Sequence, residues 1–295
     1  MVQKKGTKTI SQIIINIIFI VIALCCVVPL FYILAASFTD EMSLAKEGYH
    51  LLPTKFSLEA FKYVFKNPAQ ILNAYVVTIV VTVGGTLLSL LCTSMLAYVM
   101  ARKDYKFRNV LSFLVFFTLL FNGGMVASYI VNTQYYNLKD TIFAMILPYI
   151  IMPWHVFLMN GFFKDTPMAL IEAAKIDGAS EAYIFFKIVA PISKPAFATI
   201  GLFTAFTYWN DWWLSMLYIN ENKLTSLQYY LYRIMNNIEF LRSSMAAGVS
   251  VDLSQIPGET ARMALCVVAV GPMLIVFPFF QKYFVKGITV GSVKG

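Results

Sequence analysis

Charge is scarce in this chain. Only 13% of its 295 residues are Asp, Glu, Lys or Arg, while hydrophobic residues make up 59% and mean hydropathy is +0.70. That balance excludes an ordinary soluble globular domain. Histidine is rarer still: His50 and His155 stand far apart, and neither H-E-x-x-H nor G-x-S-x-G occurs. No catalytic or metal-ligating set is therefore expected. The four cysteines, Cys25, Cys26, Cys92 and Cys266, all fall in apolar runs, where they act as small apolar residues, and their spacing frames neither a metal site nor disulfides. There is no G-x-x-x-x-G-K-[ST] and no Gly-Lys-Ser/Thr triplet, so this chain carries no cradle for nucleotide phosphates. Carboxylates are almost absent from the apolar runs, Asp211 being the main exception. Ion- or proton-coupled transport normally needs ionisable groups at mid-membrane, so that mechanism stands only as an alternative.

What is present is apolar length. A helix needs about 20 residues to cross a bilayer, and six runs reach that length, near residues 13–37, 71–100, 110–131, 141–163, 196–219 and 260–280. The predicted class is all-α: one polytopic membrane domain over 1–295 with six transmembrane helices. The first run follows Lys4 and Lys5 as a signal peptide would, but it exceeds a signal core and reads as a retained helix. Pro148, Pro153, Pro272 and Pro278, with Gly84, Gly85 and Gly201, mark points for kinks or close crossings.

Basic residues set the expected orientation. With the N-terminus inside, the inner segments hold 14 of the 23 Lys and Arg residues, and Arg102, Lys103, Lys106 and Arg108 crowd the short second loop. An even number of spans then leaves both termini in the cytoplasm of a bacterial cell. The net charge of +8 follows from this topology, and nucleic acid is not an expected partner. Three stretches face outward. Residues 38–70 contain a short helix that Ser57 caps and Glu59 favours. Residues 122–140, rich in Gly, Asn, Thr and Tyr, read as irregular. In the outer loop 220–259, Leu227, Tyr230, Leu231, Ile234, Ile238 and Leu241 follow one helical face, which either packs on the spans or receives an extracytoplasmic partner.

The polar stretch 166–194 lies between the fourth and fifth runs and reads as a helix, a turn and a second helix. Thr166 is a good N-cap, Pro167 suits the first helical position, and Gly178 follows Asp177 where a left-handed residue ends a helix. Ser180 can cap the second helix, which Pro191 and Pro195 limit. Glu172 offers an acceptor suited to an arginine fork, although it could also pair with Lys175 or be solvated. Glu172-Ala173-Ala174-Lys175-Ile176-Asp177-Gly178, nine residues, then Ile188-Val189-Ala190-Pro191 resembles the E-A-A-x(3)-G-x(9)-I-x-L-P loop of ABC-importer permeases, with Ala190 where leucine is usual. The C-terminal run from Gln281 to Gly295 is similar to the tail of maltose-type permeases. Phe121-Asn122-Gly123-Gly124 and Trp209-Asn210-Asp211-Trp212 resemble the LplC/YtcP branch of carbohydrate-uptake permeases.

That resemblance implies a type I ABC importer permease fold with a cytoplasmic coupling helix, working beside membrane lipid. It implies an ABC ATPase dimer that carries ATP and Mg, a second and non-identical permease, an extracytoplasmic solute-binding protein and a sugar-like substrate. Glu172, Ala173, Ala174, Asp177, Gly178 and Pro191 would couple to the ATPase. Gly291, Ser292, Val293 and Lys294 would reach it through the tail, or fray without function. Tyr208, Trp209, Asn210, Asp211 and Trp212, with Asn122 and Tyr129, would line the solute path, since sugars need stacking faces and hydrogen-bonding partners. The alternative for the Trp cluster is an aromatic belt at headgroup level. Other cargo, a peptide or lipoprotein, is compatible with the same architecture, whereas a membrane enzyme would need a cluster of polar catalytic groups that the chain lacks.

Overall fold

The computed structural model describes residues 5–246 and 258–292, and among them the secondary structure is helical apart from one isolated bridge between Thr39 and Phe56. Three helices are long and apolar enough to cross a membrane without interruption: Gln12–Ser37, Pro68–Ala101 and Glu259–Phe279. These match the first, second and sixth predicted runs. The second spans 34 residues. At about 1.5 Å rise per residue it is roughly 50 Å long, well beyond a hydrocarbon core.

The remaining runs, near 110–131, 141–163 and 196–219, are bent or broken. Arg108–Leu120 and Gly124–Tyr135 meet at 113°. Gly124 has a φ of +82°, and the Asn122 side chain accepts a hydrogen bond from its N–H at 2.7 Å, so the chain turns there without leaving a donor unpaired. The stretch beyond, read as irregular, is helical from Gly124 to Ile130 and continues as a wider π turn over Val131–Tyr135. Its turn formers are confined to the two ends, where Asn137 and Asp140 also take positive φ. Phe143–Tyr149 and Pro153–Lys164 bend by 53° at Met152, which is extended as a residue before proline prefers. The fifth run is split between Lys194–Trp209 and Trp213–Tyr218, with Asn210 capping the first piece.

Two compact units share these helices. The first comprises residues 1–68 and 233–271. In it helix α1 (Lys5–Ser37) leads into two short helices, α2 (Glu41–Glu47) and α3 (Glu59–Val64). Asp40 caps α2 through the Ser43 N–H, and Ser57 accepts from the Glu59 N–H, although Leu58 rather than Ser57 holds the cap position of α3. Along residues 12–27 the apolar side chains of α1 are turned outward, as a lipid-facing helix requires, and the helix is buried at its end, at Ala35 and Ala36.

The second unit comprises residues 69–232 and 272–295. It holds α4 (Pro68–Ala101), α5 (Arg108–Leu120), α6 (Gly124–Ile130), α7 (Phe143–Ile146), α8 (Pro153–Lys164), α9 (Met168–Ile176), α10 (Glu181–Tyr183), α11 (Ala190–Ile192), α12 (Lys194–Trp209) and α13 (Trp213–Tyr218). Helix α14 (Leu227–Ala246) bears the predicted apolar face: Leu227, Tyr230, Leu231 and Ile238 are buried, Ile234 and Leu241 half-buried. Much of the loop beyond it lies outside the described residues.

Glu41 ties the first unit together. Its carboxylate accepts from the Glu259 and Thr260 N–H groups at 3.0 and 2.9 Å and from the Thr260 hydroxyl at 2.7 Å, capping helix α15 (Glu259–Ser292). Burial pushes its pKa up, but those three hydrogen bonds outweigh burial and hold it below the ordinary glutamate value. The stabilisation is therefore complete above glutamate's ordinary pKa and is lost as pH falls through the lowered folded value. Replacing Glu41 with Ala should cost about 1 kcal/mol, the worth of a lost cap. Amide hydrogen exchange should accelerate at Glu259 and Thr260 in detergent-solubilised protein, and unchanged exchange there would refute the assignment.

Candidate functional site

Residues 165–192 form an elbow. Its first arm is α9, where Ile171 and Ala174, three apart, are buried while Glu172, Ala173, Ile176 and Asp177 are exposed. Pro167, not Thr166, holds the cap position: its ψ of 124° keeps it extended, so the helix starts one residue later than the sequence predicts. The arm ends as predicted. Gly178 has a φ of +81°, its N–H donates to the Lys175 carbonyl at 3.0 Å, and the Ala179 N–H donates to the Ala174 carbonyl at 2.9 Å. This pair of bonds is the Schellman arrangement, which needs a residue tolerant of the left-handed region. Ser180 then caps the second arm, accepting from the Tyr183 N–H. That arm runs through α10, a π turn (Ile184–Val189) and α11 before bending by 84° into α12. Ile184, Phe185 and Val189 bury against Tyr98, Phe163 and Ile171, so the elbow has its own apolar floor. Pro191 is exposed within α11.

Beneath the turn lies a charge cluster that the sequence reading did not assemble. Arg102, 6% exposed, forks onto Asp104 at 2.8 and 2.6 Å and onto Glu181 at 2.8 and 3.1 Å. The Tyr98 hydroxyl accepts from Arg102 at 2.6 Å and donates to Glu181 at 2.9 Å. Lys175 closes the ring on Asp104 at 2.6 Å and on Glu181 at 3.1 Å. Hydrogen bonds from Arg102 and Lys175 hold the Asp104 carboxyl well below the usual carboxylate range. For Glu181, burial raises the pKa, but Lys175, Tyr98 and Arg102 together bring it down. The cluster therefore stays ionised throughout the neutral range. Its only sequence signal is the short basic loop. Lys175 is thus engaged away from Glu172, and Glu172 makes no hydrogen bond or ion pair among the described residues.

A second feature is a cavity of about 620 Å³ where the broken helices meet. Asn122, Gly123, Gly124, Tyr149, Trp213 and Tyr218 contribute to its wall. The predicted path residues are distributed around it rather than gathered in it. Asn122 lines the cavity. Tyr129 stacks on Tyr218 at 5.8 Å between ring centres. Asp211 accepts from the Tyr149 hydroxyl at 3.1 Å and from the Leu214 N–H at 3.0 Å, capping α13. Asn210 donates to the Phe206 carbonyl. Trp212 stacks on Tyr232. Trp209 is buried and borders a separate, almost wholly apolar hollow with Thr82, Gly201 and Pro272. Tyr208 is buried and donates to the Ile146 carbonyl at 2.8 Å. Trp213 and Tyr218, absent from the predicted set, line the cavity from α13, beyond the break that ends α12 at Trp209. His155 pairs with the Thr204 hydroxyl at 3.2 Å in a buried position. Of the tail, α15 ends at Ser292, and Val293 and Lys294 lie outside the described residues.

Tyr208 also explains Gly85. A Cβ at residue 85 would lie 2.7 Å from the Tyr208 ring, so only glycine lets α4 and α12 approach here. Gly85→Val should displace the ring from Ile146 and destabilise the protein by about 1–3 kcal/mol, as overpacking does. A lowered unfolding temperature in detergent checks it, and an unchanged one would contradict the crossing.

With this geometry in hand, comparison with known proteins is informative. Residues 93–290 match the family described as binding-protein-dependent transport system inner membrane component. The chain is 40% identical to the polygalacturonan/rhamnogalacturonan transport system permease protein YtcP of Bacillus subtilis, over 92% of this chain and 94% of that protein. It is 40% identical to protein LplC of the same organism, covering 91% and 90%. Among solved structures, a bacterial ABC transporter involved in import of the acidic polysaccharide alginate superposes with a TM-score of 0.78 at 27% identity, over 96% of this chain and all of that one.

Proposed function

The chain belongs to the family of binding-protein-dependent transport system inner membrane components and is the permease subunit of an ABC importer, not an enzyme; on that premise we propose that it docks a separate ATPase through the elbow at Glu172 and passes a glycan-derived solute. The all-α architecture is that of type I importer permeases. What carries the docking reading is the exposed face of α9. Glu172 has no hydrogen bond or ion pair among the described residues, Ile176 is 86% exposed, and the turn behind them is fixed by the Schellman bonds and the Arg102 cluster. A rigid knob with an unused carboxylate and a bare apolar side chain fits a cleft that offers a cation and an apolar wall.

Orientation follows from the basic loops. The elbow lies on the same side as Arg102, Lys103, Lys106 and Arg108, and we place that side and both termini in the cytoplasm. A second, non-identical permease completes the path, and the ATPase dimer supplies ATP and Mg chemistry on its own chains. Contact of the tail residues Gly291, Ser292, Val293 and Lys294 with that dimer is part of the same proposal. A solute-binding protein delivers cargo on the opposite side, where α14 contributes to its docking surface. ATP-driven closure of the ATPase pair moves the elbow, and the helices turn the cavity from one side of the membrane to the other.

Relatives named for transport of polygalacturonan/rhamnogalacturonan and arabinooligosaccharides point to an oligosaccharide as cargo. The cavity suits one: Trp213 and Tyr149 offer ring faces, Asn122 and Asn132 offer amides, and among the described residues no carboxylate, lysine or arginine lines it. Solute selectivity is shared with the binding protein.

Two outcomes test these assignments. Glu172→Lys should abolish co-purification of the ATPase while leaving the permease in the membrane, and normal retention in a pull-down would sink the docking face. Trp213→Ala should weaken uptake of an oligogalacturonide mixture on the order of tenfold, the effect of losing one stacking surface. Unaltered uptake kinetics would remove Trp213 from the path.

A further inference from the structure

The elbow is joined to its sequence neighbours by soft connections. Asp165, Thr166 and Pro167 separate α8 from α9, and an 84° bend lies between α11 and α12. Movement of the docking face could therefore be absorbed at either junction. On the elbow, Lys175 and Glu181 bond to Tyr98, Arg102 and Asp104, at the end of α4 and just beyond it.

Helix α4 is uninterrupted, whereas the third and fourth predicted spans are bent by 113° and 53° and the fifth is broken after Trp209. Along its length it meets what borders the cavity. The Thr78 hydroxyl accepts from the Leu227 N–H at 2.7 Å, and Gly85 presses on Tyr208, which bonds Ile146 beside the Pro148–Tyr149 wall. A rod that is unbroken from charge cluster to cavity transmits a displacement that bent helices would dissipate.

We propose that Arg102 is a positioning residue of the transport cycle: its two forks, onto Asp104 and Glu181, bind the elbow to α4 so that both move as one body when the docked ATPase closes. The proposal rests on the docking reading above. Its chemistry is the guanidinium fork, since each carboxylate is held through two N–H groups, which fixes angle as well as distance. A lysine at 102 retains the charge but can hold neither carboxylate in that way. Division of labour on α9 follows: Glu172 faces the motor, and Lys175, one turn on, faces the rod.

Spin labels at Tyr183→Cys on the elbow and Leu87→Cys on α4, in a background without native cysteines, read the coupling directly. Both positions are exposed. The sample is the full importer complex purified with its ATPase, compared without nucleotide and with ATP under non-hydrolysing conditions. The unmodified Arg102 complex should keep one interlabel distance in both states. Arg102→Lys and Glu181→Gln should keep that distance without nucleotide but shift it by about 2 Å or more with ATP, the scale of helix displacements in such transitions. A merely stabilising cluster would alter the nucleotide-free distance or the yield of complex and leave the ATP response alone. A distance that changes with ATP when Arg102 is intact, or variants that stay as invariant as the parent, would overturn the proposal. Absence of any ATPase from the parent complex would instead sink the docking reading.

Discussion

One buried guanidinium organises the functional end of this permease. Burying Arg102 is tolerable only because its donors are taken up by two carboxylates and a phenol oxygen, for an unpaired charge at that depth would cost several kcal/mol. Every ligand it requires comes from a segment that must then keep its place: Tyr98 from the last turn of α4, Asp104 from the loop beyond it, Glu181 from the second arm of the elbow. The apolar floor of Ile171, Ile184, Phe185 and Val189 gathers these segments, but apolar packing alone tolerates sliding. The forked ion pairs fix angle and register. Electrostatics here supplies geometry, and the hydrophobic contacts supply adhesion.

The same economy of polar groups shapes the cavity. Inside a membrane each backbone donor freed by a break must find another partner, so breaks occur where side chains can supply one. Asn122 accepts from Gly124 at the first break, Asn210 caps α12, and Asp211 caps α13. These residues look like solute ligands in the sequence, yet much of their hydrogen-bonding capacity is spent on the helix ends they terminate. The concave wall is then left to residues that the breaks expose, above all Trp213 and Tyr149. Polar side chains make the space, and aromatic faces line it.

This division explains what could and could not be read beforehand. The elbow was legible to within a residue, because Gly178 and Ser180 are local requirements of one helix end and one helix start, whereas burial of Ala174 beside Ile171 was not read from the sequence. The amphipathic face of α14 was legible for the same reason, as periodicity within a single element. The bends in the third, fourth and fifth runs were not legible in full, since hydropathy registers length and is blind to a positive φ at Gly124 or an extended Met152. The Arg102 cluster was invisible: its members lie up to 83 residues apart, and charge counting had already assigned the basic loop to topology. Trp213 was missed next to residues that were named, because the helical face cannot be extrapolated across an unrecognised break.

Spacing on α9 shows why both roles fit on so short a helix. Residues 172 and 175 are three apart, near enough to pair, and such a pair would neutralise the carboxylate proposed for docking. Asp104 prevents it: a carboxylate 2.6 Å from Lys175, backed by Glu181, outcompetes a solvated Glu172 for the ammonium. The loop acid therefore keeps the elbow's glutamate free as well as bracing the turn. Removing Asp104 would release Lys175 toward Glu172 and weaken brace and docking face together. Stability of the elbow and availability of its contact residue are thus set by the same ion pair, which is why they cannot be tuned separately by changing charge in the loop after α4.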